Sequence, residues 1–190
     1  SYADFDIDAA ISQYSGHLTV YSEMVNGEEM AGSEIVELVS QQYSVGPRIL
    51  LALLELRGGW LTNPSLSQIA LRQPLGYNRG AYWEGLYFQL CLAANALNGG
   101  FYGWWQDTQW LVQTLDGAYI QFSTELNAGT AGIQKMLADT SASYDAWIAD
   151  LDGFQATYED LFGDPFRYAV EPLILPQTQS PALDDVETSW

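Results

Sequence analysis

Reactive side chains are scarce in this chain, and the scarcity limits its chemistry. One histidine, His17, and one cysteine, Cys91, stand among 190 residues. Zinc sites of the Cys/His type, Ser-His-Asp triads, Cys-His dyads and intramolecular disulfides all need more than these two can supply. His17 follows Gly16 and reads as a turn or surface histidine, while Cys91 lies in Phe88-Gln89-Leu90-Cys91-Leu92-Ala93-Ala94 and reads as a buried, inert thiol. Asp4-Phe5-Asp6-Ile7-Asp8 alternates like a calcium loop, but Ala9 and Ser15 replace the required glycine and glutamate. No metal or cofactor is expected. Carboxylates remain for acid–base work, and aromatic side chains for recognition. Phe101-Tyr102-Gly103-Trp104-Trp105, with Trp60, Trp83 and Trp110, offers faces that could stack on sugar rings, fill the core or form a subunit interface.

The elements that must position these groups belong to a folded chain. Hydrophobic residues make 48% of it and aromatics 14%, which is too apolar for a disordered acidic tail. Against 24 Asp and Glu stand five Arg and one Lys, giving a net charge of −18. Such a field repels phosphate, so nucleic acid is excluded as a partner. The longest apolar run, Ile49 to Leu54, falls far short of the roughly 20 residues that span a membrane. The opening Ser1-Tyr2-Ala3-Asp4 reads as a mature end left by processing, and the Lys-poor, amide- and hydroxyl-rich composition suits a protein secreted from its cell or held at its surface.

Periodicity predicts a mainly α fold of the α+β class, with one small β-hairpin. Residues 1–32 read as an N-terminal arm holding a short strand at Leu18 to Tyr21 and a turn at Asn26-Gly27. Residues 33–165 read as the helical domain. Ser33 caps a helix with Ile35, Val36, Leu38, Val39 and Tyr43 on its apolar face, and Gly46-Pro47 starts a second helix that runs from Arg48 to Arg57. A loop from Leu61 to Tyr82 includes a short helix near Leu66 to Leu71. A central helix runs from Trp83 to Leu97, with Gly99-Gly100 as its stop. Runs at Trp110 to Leu115 and Ala118 to Phe122 flank Asp116-Gly117, a hairpin signal. Two more helices span Thr130 to Asp139 and Tyr144 to Phe162, the latter with Trp147, Leu151, Phe154, Tyr158 and Phe162 as a buried stripe. Residues 166–190, punctuated by Pro172, Pro176 and Pro181, read as an extended proline-rich tail that serves as a linker or docking arm.

Two stretches resemble the lysozyme-like fold of soluble lytic transglycosylases. One runs from Tyr43 through the apolar helix to Arg57-Gly58-Gly59-Trp60 and Asn63-Pro64; the other is Asn127-Ala128-Gly129-Thr130-Ala131-Gly132-Ile133-Gln134. The resemblance covers about residues 33 to 162. The chain is also similar to the lysozyme-like segment that precedes a lysostaphin-type zinc peptidase domain in some secreted bacterial proteins. This resemblance implies peptidoglycan or another glycan as ligand, with contacts from Trp60, Tyr102, Trp104, Trp105 and Asn127. It also places Arg57 where the catalytic glutamate would stand, and a guanidinium cannot protonate a glycosidic oxygen. Glu55 is the obvious substitute, although two residues along a helix turn it by about 200°. Glu84 and Asp107 are further candidates. The expected function is therefore a catalytically inactive, secreted lysozyme-like domain serving glycan binding or self-assembly, with the tail linking copies as a homo-oligomer. The alternative is an active lytic transglycosylase or muramidase that uses Glu55 or Glu84 as general acid/base. The −18 charge opposes a freely diffusing wall hydrolase, because the wall is anionic.

Overall fold

The computed structural model describes residues 5–107 and 111–164. Trp110 and the tail expected at 166–190, with its expected role in linking copies, lie outside the described residues. Helix α1 (Ile7–Ile11) opens on Asp6, whose Oδ1 accepts the Ala9 N–H at 2.9 Å. A 3-10 turn at His17–Thr19 stands where the sequence predicts a strand. The strands come just after it: β1 (Ser22–Val25) pairs antiparallel with β2 (Glu28–Ala31) around Asn26 and Gly27, both at positive φ. An Asn-Gly pair at positive φ is what a two-residue hairpin with right-handed strand twist requires. The segment that reads as an arm supplies Ile7, Ile11, Leu18 and Val25 to the main hydrophobic core.

Helix α2 (Gly32–Tyr43) begins before a Ser33 cap would allow. Ser33 is buried inside it, and the Glu34 carboxylate reaches back to accept the Ala31 N–H at 2.7 Å. Helix α3 (Pro47–Gly58) starts on its proline and buries Leu50, Leu51, Leu53 and Leu54 completely. After the short α4 (Gln68–Arg72) comes α5 (Leu86–Trp105), the longest helix described. Glu23 of β1 caps α5 from across the fold, its Oε1 accepting the Tyr87 N–H at 2.6 Å and its Oε2 the Leu86 N–H at 3.1 Å. A carboxylate at a helix N-terminus satisfies orphan amides and matches the helix dipole. The second hairpin, β3 (Leu111–Gln113) with β4 (Tyr119–Gln121), forms around Asp116-Gly117 as the sequence predicts. Helices α6 (Ala128–Ala138) and α7 (Tyr144–Phe162) complete a mainly helical fold. No helix among the described residues is long and apolar enough to cross a membrane.

Helix α5 begins three residues after Trp83 and runs through Gly99-Gly100 to Trp105, so the glycines expected to stop it lie inside it. Their neighbour explains why. A Cβ on Gly100 would stand 2.7 Å from the Ala131 carbonyl oxygen and 2.8 Å from the Gly132 Cα, while one on Gly132 would stand 2.7 Å from the Leu97 oxygen. The two helices meet backbone to backbone, and backbone cannot turn aside as a side chain can. Gly100→Ala is therefore expected to destabilise by about 1–3 kcal/mol, despite gaining up to about 1 kcal/mol in helix propensity. A lowered urea midpoint at unchanged slope checks this; an unchanged or raised midpoint rejects the close packing.

Candidate functional site

The candidate acids lie at the end of α3 and beyond it. Gly59 donates its N–H to the Glu55 carbonyl at 2.8 Å, so α3 stays regular through its glycine end. Glu55 and Arg57 therefore point to different neighbours. The Glu55 carboxylate turns to the loop after α3: Oε2 accepts the Leu61 N–H at 2.8 Å and the Thr62 N–H at 3.2 Å, and Oε1 accepts the Thr62 hydroxyl. Both oxygens are engaged by the chain's own groups, which makes Glu55 the fastener of this turn. Arg57 faces α7 and pairs with Asp150 at 2.9 Å, donating also to the Thr140 hydroxyl at 2.8 Å. Asp150 accepts in addition from the Ser141 hydroxyl. Arg57 thus ties α3 to α7 and to the turn between α6 and α7. Glu84 ends a 3-10 turn at Ala81–Trp83 and sits 3.8 Å from the exposed Arg72 guanidinium, a pairing of little energetic weight. Asp107 lies just past α5 at φ 58°. The structure places the three carboxylates on separate elements. Among the described residues no cluster of three or more His, Cys, Asp and Glu could hold a metal.

The aromatic residues divide by exposure. Trp60 is fully buried, its ring meeting those of His17 at 5.7 Å and Tyr21 at 5.1 Å edge to face. It has no surface to offer a ligand, and His17 helps to enclose it. Trp104 turns inward onto Phe122 at 6.0 Å, and Trp83 packs against Tyr82 and Phe88. Tyr102 and Trp105 remain open, 51% and 72% exposed, with Phe101 beside Tyr102. Asn127 caps α6, its Oδ1 accepting the Thr130 N–H at 2.9 Å. Cys91 is buried, and burial raises its thiol pKa while the Tyr43 and Tyr87 hydroxyls contact it. A thiol held protonated in this way is inert at neutral pH.

Among the described residues, one hollow is a feature that sequence reading missed. A cleft of about 450 Å³ opens between the start of α3, the first turns of α6 and one face of α7. Ile49, Ile133, Leu151, Phe154 and Tyr158 make its floor, and Asn127, Thr130, Gln134, Asp152 and Gln155 its rim. A hollow of about 200 Å³ that reaches Asn98 and Phe101 shares Ile49, Gly129 and Ile133 with it. A third, of about 430 Å³ beside Tyr119, Tyr144 and Ile148, shares Gln134 and Leu151. The three hollows neighbour one another along α6 through these shared residues. The α7 stripe carries the only signal: of the five apolar residues predicted as buried, Trp147 and Phe154 are, while Leu151, Tyr158 and Phe162 are only partly covered. Of the described residues singled out from sequence, Asn127 lines the cleft and Phe101 the adjoining hollow.

A family model described as the N-terminal domain of LasA matches residues 1–176. No curated protein matches the chain, and no solved structure does. The lysozyme-like resemblance therefore rests on its two stretches alone.

Proposed function

Because the chain belongs to the LasA N-terminal domain family, we propose that it is a non-catalytic binding domain of a secreted bacterial protein, whose cleft between α3, α6 and α7 takes a wall glycan strand. Domains of this family precede the peptidase domain in LasA-type proteins and are typically secreted. The observation that carries the non-catalytic reading is the engagement of Glu55. A general acid must present its proton to the glycosidic oxygen, and both Glu55 oxygens are turned to Leu61 and Thr62. Arg57, at the position the resemblance assigns to the acid, is spent on Asp150 and Thr140.

Support for the glycan comes from the chemistry of the cleft. Pyranose rings have apolar faces and hydroxyl edges. Ile133, Leu151 and Tyr158 suit the former, and the amides of Gln134 and Gln155 with the Asp152 carboxylate suit the latter. A volume of about 450 Å³ is in the range of small-ligand sites. Recognition through hydroxyls also needs no attraction to anionic wall polymers, which a −18 chain cannot provide.

Titration with chitooligosaccharides and murein fragments, followed by amide shifts in α6 and α7, tests the reading. Saturable binding is expected, weakened roughly three- to tenfold by Gln155→Ala, the cost of one hydrogen bond. Indifference to every saccharide would sink the glycan reading. In a wall-clearing assay the native chain and Glu55→Gln are both expected to be inactive, with Glu55→Gln less stable by about 1 kcal/mol. Clearing by the native chain that Glu55→Gln abolishes would restore the enzyme alternative.

A further inference from the structure

We propose that the saccharide taken by the cleft carries free amino groups: a glucosamine chain without its N-acetyl groups, recognised by the α7 wall. The inference deepens the glycan reading and rests on it. Asp152 and Gln155 stand one turn apart on the face of α7 that lines the cleft. Gln155 donates its Nε2 to the Glu159 carboxylate at 2.9 Å and keeps its Oε1 free to accept. Asp152 is exposed, and its carboxylate has neither hydrogen bond nor ion pair among the described residues. The described basic side chains are engaged elsewhere: Arg57 on Asp150, Lys135 on Asp139, Arg72 beside Glu84, Arg48 over the Phe5 ring and Arg79 over that of Tyr77. The last turn of α7 adds Glu159 and Asp160 and no basic residue, at the helix end whose dipole already disfavours anions.

An N-acetylglucosamine unit is neutral and gains nothing from this uncompensated charge. Without its acetyl group the same ring carries an ammonium, which donates up to three hydrogen bonds and is drawn to a carboxylate. Tyr158 lines the same wall, and an aromatic ring beside a carboxylate is a favourable surrounding for an ammonium. The field of the whole chain acts in the same sense: a net charge of −18 concentrates cationic ligands and opposes anionic ones. Ile133 and Leu151 remain available to the apolar face of the sugar ring, which the acetyl group does not alter.

Titration of the full 190-residue chain at about pH 6, where carboxylates are ionised and the sugar amine is protonated, compares a glucosamine tetramer with its N-acetylated counterpart. The free-amine tetramer should bind about three- to tenfold more tightly, the range of a charge-assisted bond at a partly solvated rim. Asp152→Asn should erase that preference. Glu28→Gln, at an exposed β2 carboxylate that also lacks a partner among the described residues, changes the net charge equally and should preserve it. Equal affinity for the two tetramers, a preference for the N-acetylated one, or a preference that both variants reduce alike would overturn the inference and leave the glycan reading standing. Dependence on Asp152 seen only with an N-acetylated murein fragment bearing a free stem-peptide amine would assign the ammonium to peptide and overturn it too. If neither tetramer nor any murein fragment binds, the glycan reading falls and the inference with it.

Discussion

Arg57→Glu is expected to cost about 3–5 kcal/mol of stability and to create no wall-clearing activity. By resemblance it would put a glutamate where a transglycosylase has its acid, but the structure puts that side chain against Asp150. The Arg57 and Asp150 side chains are only 16% and 20% exposed, and Asp150 also accepts from Ser141. Glutamate would remove the guanidinium that bridges α3 to α7 and set a second negative charge against a poorly solvated carboxylate. Removing one partner of a largely buried pair is costly because the other stays behind unpaired. The loss is a large fraction of the 5–15 kcal/mol that typically holds a domain together. Arg57→Met with Asp150→Leu should recover most of it, since both charges leave together. Urea unfolding of the three proteins measures the difference. A variant as stable as the native chain that also clears walls would refute the structural role of Arg57 and the non-catalytic reading together.

A second large loss is expected from Gln89→Leu, which keeps side-chain bulk and removes every polar contact. Gln89 is fully buried in α5. Its Oε1 accepts the Leu75 and Tyr77 N–H groups at 3.3 and 3.2 Å, and its Nε2 donates to the Tyr77 and Trp83 carbonyls at 2.9 and 2.8 Å. One amide thus satisfies four backbone groups of the segment between α4 and α5. Each group left unpaired in the interior costs about 1–3 kcal/mol, and partial entry of water brings the expected total to about 3–5 kcal/mol. Hydrogen exchange gives the specific readout: the Leu75 and Tyr77 amides should lose protection first, with those of α3 last. A variant whose loss of protection is uniform, or which is as stable as the native chain, would reject this role for Gln89.

Local signals in the sequence are legible. Asn26-Gly27 and Asp116-Gly117 form hairpins because a two-residue turn needs positive φ, which those residue pairs accept. Gly46-Pro47 starts α3, and Tyr144 to Phe162 is helical to the residue, because capping, proline geometry and apolar spacing act within a turn or two. The opposed directions of Glu55 and Arg57 also follow from helix geometry. Gly99-Gly100 misleads because its meaning lies in α6, some thirty residues on, where Gly132 admits the backbone of α5. Trp60 reads as a sugar platform from sequence, since nothing beside it in the chain tells that His17 and Tyr21 will close over it.

By itself, the sequence determined which of the usual site chemistries this chain cannot build and where the helices between Gly32 and Phe162 lie, though neither α1 nor the full length of α5. One histidine and one cysteine cannot build the usual triads or zinc sites, Arg57 cannot act as an acid, and apolar spacing is a local property that no distant contact has to complete. Only the tertiary structure decided which of these residues meet water and which meet each other. Exposure depends on elements far apart in the chain: β1 supplies the cap of α5, α7 supplies the partner of Arg57, and α3, α6 and α7 together leave open the cleft that no single stretch encodes.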